Sequence, residues 1–295
     1  MWNEKDIGDL RGKLYIVTGG NTGLGFMTTQ YLLNAGANVL LTARDLDRGK
    51  NALARLQGEV RSRAQLRELD LGSLESVARF TQRVLAEESH VDALVLNAGV
   101  ALLPYSKTID GLETHFAVNH LGHFALTLPL VPISTRVVVT TSGAANQAAE
   151  PLPFDELAVR DEGKDYDGMQ VYAESKLANV LFARGLKNRC PSLEVVVTHP
   201  GFTATDLQRH SLRFRILGRL LAQSVERGAL NNVRAAIDPS LSNLGPSEWI
   251  CPSGRNEMKG DPDVRATVRT YANDDAAQNR LWQLSESLTG VVLPI

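Results

Sequence analysis

Tyr172 and Lys176 stand four residues apart in Tyr-Ala-Glu-Ser-Lys. They lie inside a run from Gly168 to Lys187 whose apolar positions Ala173, Leu177, Val180 and Leu181 recur at helical spacing. Four residues is about one helical turn, so the phenol and the ammonium share a face, offset from the apolar stripe. That pairing can both give and take a proton. A free phenol titrates near pH ~10, and bringing it to ~7 takes roughly 4 kcal/mol of preference for phenolate. An adjacent positive charge can largely supply that preference, and the chemistry would be acid–base catalysis at an oxygen. The same spacing also describes an ordinary pair on a helix surface, so the rest of the chain has to decide.

A site of this kind needs elements that bring distant residues together. Leu14 to Val17 is a short apolar run of the type a buried parallel strand requires. Thr18-Gly19-Gly20-Asn21-Thr22-Gly23-Leu24-Gly25 follows at once, and a helical pattern then runs to Asn34. Strand, glycine turn and helix in that order mark a dinucleotide site: glycines let backbone approach a pyrophosphate, and the helix N-terminus offers free N–H groups. Asn38 to Ala43 reads as a second buried strand with Arg44 just past its end, where an arginine favours a 2′-phosphate. NADP(H) is therefore expected over NAD(H), although Asp45 stands beside Arg44.

The alternation continues. Leu66 to Leu69 is a third strand ending at Asp70, placed to meet an adenine, and Ser73 to Glu88 is amphipathic. Ala93 to Leu96 is a fourth strand running into Asn97-Ala98-Gly99. Asp110 to Leu130 reads as one long helix with Asn119 at its middle, and Val137 to Thr140 as a fifth strand that delivers Ser142. Glu194 to Thr198 is a sixth, closed by His199-Pro200-Gly201. Val225 to Ile237 is a helix, Glu248 to Cys251 a last strand and Asp274 to Leu288 a C-terminal helix. This pattern predicts an α/β fold of the Rossmann type: a doubly wound parallel sheet of about seven strands with helices on both faces. A single domain is expected over 1–295, with a cofactor half over about 12–142 and a catalytic, substrate-binding half over about 143–295. Ligands of such sheets bind beyond the C-terminal strand ends, where Gly19, Asp70, Asn97 and Ser142 all fall.

Composition narrows the classes. A net charge of −2 over 295 residues gives no basic excess for nucleic acid. Cys190 and Cys251 form neither a metal motif nor a disulfide framework, which suits a reducing compartment. The N-terminus lacks a basic stretch followed by an apolar one, and Phe124 to Ile133 is too short to span a bilayer, so a cytoplasmic protein is expected. Two segments stand apart. Gly143 to Asp167 is long for a connection. Phe202 to Ala222 mixes leucines with Arg209, Arg213, Arg215 and Arg219. It reads as a helix over the substrate cleft, with a membrane-surface helix as the alternative.

With these residues assembled, the chain resembles the short-chain dehydrogenase/reductase family over nearly its whole length. Thr18-Gly19-x-x-x-Gly23-x-Gly25, Asp70-Leu71, Asn97-Ala98-Gly99, Ser142, Tyr172-x-x-x-Lys176 and Pro200-Gly201 come in the family's order. Within it, Asp110-Gly111-Leu112-Glu113, Phe116, Asn119-His120-Leu121-Gly122-His123-Phe124 and Leu281-Trp282-x-Leu284-Ser285-Glu286 look most like the retinol dehydrogenase and WW-domain oxidoreductase branch. The connection from Leu130 to Arg136 is shorter than usual for that branch.

The resemblance implies Tyr172 as general acid and base, with Lys176 lowering its pKa and binding the nicotinamide ribose. It implies Ser142 at the substrate oxygen and Asn119 holding a water in a proton relay. Gly19, Asn21, Gly23, Leu24, Gly25, Arg44, Asp70, Leu71, Asn97, Ala98, Gly99, Pro200, Thr203 and Thr205 would complete the cofactor site. His120, His123 and His199 are expected to pack rather than to catalyse. The substrate would be a ketone, aldehyde or secondary alcohol of largely apolar character, bound by a protein that is free to form homo-oligomers. The alternatives are a non-catalytic NADP(H)-binding regulator and a double-bond reductase related to protochlorophyllide reductase.

Overall fold

Short apolar runs become strands here because helices cover both of their faces. In a computed structural model, describing residues 2–160, 166–203, 222–244, 248–266 and 270–294, they form one sheet. Its strands are β1 (Leu14–Val17), β2 (Asn38–Ala43), β3 (Ala64–Glu68), β4 (Val91–Leu96), β5 (Ser134–Thr140), β6 (Glu194–Thr198), β7 (Glu248–Pro252) and β8 (Pro262–Ala266). The order is β3-β2-β1-β4-β5-β6-β7-β8. All pairings are parallel except β7 with β8. The sheet thus has eight strands where about seven were expected. Pro262-Asp263-Val264-Arg265-Ala266 lies at the edge with one side open, so it carries no apolar run, and its proline sits at the first position where an edge strand tolerates one.

Side chains alternate between two cores, as a period of two demands. Ile16, Leu94, Leu96, Val137 and Val139 point to one, and Tyr15, Val17, Ala93, Val95 and Val138 to the other. The second core is roofed by α1 (Gly23–Asn34) and α2 (Leu46–Ala54), with the short α3 (Gly58–Ser62) beside them. The first is roofed by α4 (Leu74–Glu87) and by α5, which is built from Thr114–Phe116, a π turn Ala117–Leu121 and Gly122–Leu130. It also takes α6 (Gly168–Arg189). Helix α7 (Val225–Ile237) returns to the second core and α8 (Asp275–Thr289) to the first.

Helix α5 starts at Thr114, later than the expected Asp110. Residues 108–112 close on themselves through Thr108 N–H to Leu112 O (2.8 Å) and Gly111 N–H to Thr108 O (3.0 Å), and Gly111 has φ +76°. Glu113 then caps the helix. The stretch Thr114–Ile133 is long and apolar enough to cross a membrane, but here it is a core helix with Phe116, Leu121, Phe124 and Leu128 fully enclosed. Its short link to β5 is a single 3₁₀ turn, Val131–Ile133, with Ser134 Oγ donating to Leu130 O at 2.8 Å. Strand β5 begins three residues earlier than its apolar run because buried Arg136 is satisfied by the Glu194 carboxylate and by the carbonyls of Ala235 and Asp238.

Candidate active site

The strand order reverses between β1 and β4, and the turns that follow them open a crevice there. In the turn after β1, Gly19 has φ +62° and Gly23 φ +51°, a left-handed backbone that side-chain-bearing residues avoid. Gly25 is required for a different reason. A Cβ there would lie 2.2 Å from Gly19 O and 2.5 Å from Asn97 Nδ2. Gly25→Ala must therefore displace the turn, and we expect it to cost about 1–3 kcal/mol or more, read as a lower Tm.

The turn leads into α1, whose N-cap residue Thr22 makes no side-chain capping bond. By contrast Asp45, Ser73, Asp167, Ser224 and Asp274 cap α2, α4, α6, α7 and α8. The first N–H groups of α1 are left for an anion.

Across the crevice, Thr18 ties the two strand ends. Its Oγ1 accepts from Asn97 N (2.9 Å) and Ala98 N (3.0 Å), while Asn97 Nδ2 donates to Thr18 O (2.9 Å). Thr18 Oγ1 also meets His123 Nε2 at 2.9 Å. His123 Nδ1 faces the carbonyl of Asn119 at 3.0 Å and must donate to it, so in the neutral ring Nε2 accepts from the Thr18 hydroxyl. Burial keeps this ring neutral, pushing its pKa down to about 4. From the far side, Asn232 Nδ2 on α7 donates to Asn97 Oδ1 at 3.1 Å.

The π turn of α5 places Asn119 beneath Gly99. Its Nδ2 donates to Val100 O (3.0 Å) and Ser175 Oγ (2.9 Å), and its Oδ1 accepts from Val100 N (2.8 Å). Both amide hydrogens are thus committed to protein. A Cβ on Gly99 would stand 3.0 Å from Asn119 Oδ1 and 3.4 Å from Lys176 Nζ, so Gly99, Asn119 and Lys176 share one spot.

Lys176 is buried, at 5 % exposure, which removes the surface-pair reading of the Tyr–Lys spacing. Its Nζ donates to Thr140 O at 3.2 Å, and Thr141 Oγ1 donates to the carbonyl of Lys176 at 2.7 Å. The end of β5 therefore grips α6 at the lysine. Tyr172 lies one turn earlier, with the ammonium 5.9 Å from its ring centroid, and its phenol lies beside the Ser142 side chain. Ser142 Oγ accepts from Ala144 N at 3.2 Å, at the head of the 3₁₀ turn Gly143–Gln147.

The electrostatics differ from the expectation. Burial pushes the Tyr172 phenol up, against the opposing effect of Ser142, and it pushes Lys176 down to about 8. Desolvation disfavours both charged forms and outweighs their attraction across this distance.

The remaining predicted residues are placed as follows. Asn21 is half-buried at the tip of the glycine turn, and Leu24 is buried against Gly228. Arg44 is exposed at the end of β2. Asp70 Oδ1 accepts from Gly72 N at 2.9 Å. Leu71 belongs to the core, packed where a Cβ on Gly122 would meet its carbonyl at 2.3 Å. Pro200 O accepts from Thr203 Oγ1 (2.9 Å) and Gln223 Nε2 (2.7 Å). Thr205 and residues 204–221 of the leucine- and arginine-rich segment lie outside the described residues. A recess of about 510 Å³ opens beyond the Ser142 turn, between Asn146, the 253–257 turn and Arg265, with both polar and apolar atoms in its wall.

This arrangement has known relatives. Residues 13–153 match the family model described as short chain dehydrogenase. The chain is 34 % identical to Retinol dehydrogenase 12 of Homo sapiens, over 96 % of this chain and 88 % of that one. The chain belongs to the short-chain dehydrogenase family. Within the family it is also 34 % identical to the WW domain-containing oxidoreductase of Drosophila melanogaster, over 95 % of this chain and 69 % of that one. A crystal structure of an uncharacterised protein from Mycobacterium paratuberculosis superposes with TM-score 0.81 at 32 % identity, covering 100 % and 99 % of the two chains. The family's nicotinamide cofactor fits the residues present: a glycine cradle that a Cβ would fill, an uncapped helix N-terminus beside it, and Lys176 with ammonium hydrogens to spare.

Sequence reasoning missed Thr18, Thr141, Ser175 and Asn232 as the residues that hold the site together. A hydroxyl or amide side chain at a strand end or within a helix carries no distinguishing pattern until its partner is known.

Proposed function

We propose that this short-chain dehydrogenase is an NADP(H)-dependent oxidoreductase that interconverts a small-molecule alcohol with its ketone or aldehyde. The observation that carries the reading is the Tyr172 phenol beside the Ser142 side chain, with the buried Lys176 ammonium 5.9 Å from the Tyr172 ring centroid and next to Gly99 of the crevice. The nicotinamide, when bound, supplies or takes the hydride at the substrate carbon. In reduction, Tyr172 gives its proton to the carbonyl oxygen, and in oxidation it takes the proton from the hydroxyl. Ser142 steadies that oxygen by hydrogen bonding. Lys176, anchored by Thr140, aims its remaining hydrogens at the ribose and favours the phenolate. Asn119 fixes the 97–100 turn and keeps an Oδ1 lone pair for a relay water.

The resemblance to retinol dehydrogenase 12 supports an apolar alcohol or aldehyde as substrate. The unpaired Cys190 and Cys251 suit the reducing, cytoplasmic location we infer. Incubating the protein with NADPH and a panel of apolar ketones and aldehydes, and following nicotinamide absorbance, tests the activity. Tight NADPH binding with no turnover on any carbonyl would favour the regulatory reading instead.

Preference for NADP(H) rests on Arg44. Its neighbour Asp45 stays ionised and acts on Arg44 electrostatically, but its carboxylate is turned to cap α2 through Arg48 N (3.0 Å) and Asp47 N (2.9 Å). These bonds hold Asp45 below the usual carboxylate range. Arg44 makes no hydrogen bond or ion pair of its own among the described residues, so it can meet a 2′-phosphate. Arg44→Ala is expected to weaken NADPH binding about tenfold or more, or roughly 1.5–3 kcal/mol, and to leave NADH nearly unchanged. Fluorescence titration with both cofactors decides it, and equal losses would remove Arg44 from the site.

A further inference from the structure

We infer that the buried Glu113 carboxylate is a positioning residue that sets the two helices bearing Asn119 and Tyr172 against each other, with Tyr166 as its link to the second. The inference rests on the catalytic reading above and extends it to residues that touch neither substrate nor cofactor. Glu113 is six residues before Asn119, and Tyr166 is six before Tyr172.

One carboxylate serves both helices. Its Oε2 accepts from Phe116 N at 2.8 Å and its Oε1 from His115 N at 2.9 Å, which caps α5. Oε1 also accepts from the Tyr166 phenol at 2.8 Å and from His115 Nδ1 at 3.0 Å. His115 Nε2 accepts from Leu103 N at 3.2 Å, so the neutral ring carries its proton on Nδ1, facing Glu113 and the Tyr166 oxygen (3.0 Å). The other edge of this ring system reaches the catalytic side chain: the His115 and Tyr172 rings meet edge to face, with centroids 6.5 Å apart. Tyr166 directly precedes Asp167, which caps α6 through Met169 N at 2.8 Å. Glu113 N donates to Ala158 O at 2.9 Å, so the same residue holds the Ser142–Tyr172 connection at a second point.

A cap alone does not explain this design. Asp45, Asp167, Ser224 and Asp274 cap their helices from exposed positions, whereas Glu113 is 0 % exposed. Burying a carboxylate is unfavourable unless donors surround it, and two of its four donors are side-chain groups that a cap does not need. What they add is a fixed relation between the α5 and α6 entrances, one turn and a half ahead of the reacting groups. Small misplacements of such groups are costly to rate.

Tyr166→Phe tests the link, because it removes one hydroxyl and keeps the ring against Tyr105, whose centroid is 5.4 Å away. We expect kcat for carbonyl reduction to fall about tenfold or more while KM for NADPH and Tm barely move. Glu113→Gln, which keeps an acceptor for the cap and the phenol, should retain more kcat than Glu113→Ala. Tyr105→Phe is the control: it removes a bond from Tyr105 to Arg160 O (2.8 Å) in the same region and should leave kcat unchanged. The ¹³Cζ resonance of Tyr172, followed through its titration without substrate, should shift its midpoint upward in Tyr166→Phe. Wild-type kcat with an unshifted Tyr172 titration overturns the inference, and so does an equal loss in Tyr105→Phe. Should the wild-type protein reduce no carbonyl at all, the proposed function fails and the Tyr172 titration alone decides the positioning role.

Discussion

Tyr172→Phe is expected to lower turnover by about 10²- to 10⁴-fold, the range associated with losing a positioned acid or base, and to leave NADPH affinity close to wild type. The substitution removes a single oxygen from a ring that packs against the first core, so the fold has little to lose. What disappears is the proton that must reach the carbonyl oxygen as hydride reaches its carbon. Ser142 remains and can still hydrogen-bond that oxygen, but its hydroxyl is a far weaker acid than a phenol. On the proposed mechanism Lys176 does not take over that role, since one Nζ hydrogen goes to Thr140 O and the others are assigned to the ribose rather than to the substrate oxygen. Lys176→Ala should act differently. It removes both an anchor at the end of β5 and the proposed ribose contact, so NADPH binding is expected to weaken and oxidation to need a higher pH to become fast. Steady-state kinetics over pH, with NADPH titration of each purified variant, separates the two residues. Near-wild-type turnover in Tyr172→Phe would dismiss it as the acid.

Much of this site could be read from the chain because its parts obey local rules. Strands β1, β2 and β6 coincide with their apolar runs, since parallel strands buried on both faces need continuous hydrophobicity. Gly19, Asp70, Asn97 and Ser142 were placed at strand ends by alternation alone, and the sheet order brings those ends to one rim. The features that stayed hidden depend on distant partners. The π turn around Asn119 has no signature in Ala-Val-Asn-His-Leu; it is accommodated because Asn119 bonds Val100 and Ser175 and its carbonyl bonds His123. Edge strand β8 lacks an apolar run because only β7 covers it. The upward push on Tyr172 was also invisible, because spacing places an ammonium nearby but says nothing of how deeply both groups are buried. Glu113 looked like one member of a family motif, and its second helix partner lies 53 residues away.

Stability should vary little near pH ~7.5 and fall steeply as the pH drops below ~6.5. Three histidines account for the expected slope. Burial pushes His120 down to about 3 and His123 and His199 down to about 4, so all three are neutral in the folded protein at pH 5.5. In the unfolded chain each titrates near the ordinary value of about 6.5. Below that value the unfolded state binds protons that the folded state refuses, which makes stability rise with pH through this window. One unit below 6.5 the loss is about 1.4 kcal/mol per histidine, or about 4 kcal/mol together, a large share of a typical 5–15 kcal/mol. The loss continues until the folded rings protonate, near pH 4 for His123 and His199. Carboxylates held low by their donors, such as Glu113, Glu194 and Asp238, add a loss of the same sign only below the ordinary carboxylate range. Glu174, held high by burial, opposes it weakly just above that range. Urea unfolding at pH 7.5, 6.5, 5.5 and 5.0 measures the slope. His120→Phe should flatten it by one proton, because the ring sits among Phe116, Phe124 and Phe182, although its 2.7 Å bond to Ser285 is lost. A midpoint that does not move between pH 7.5 and 5.5 would mean these rings are not held neutral. Protonation at His123 would reach the site as well: Nε2 would stop accepting from Thr18, whose Oγ1 joins the Asn97 and Ala98 amides to the glycine turn. In the folded protein a loss of NADPH binding by this route is therefore expected only as the pH approaches about 4, where His123 itself titrates.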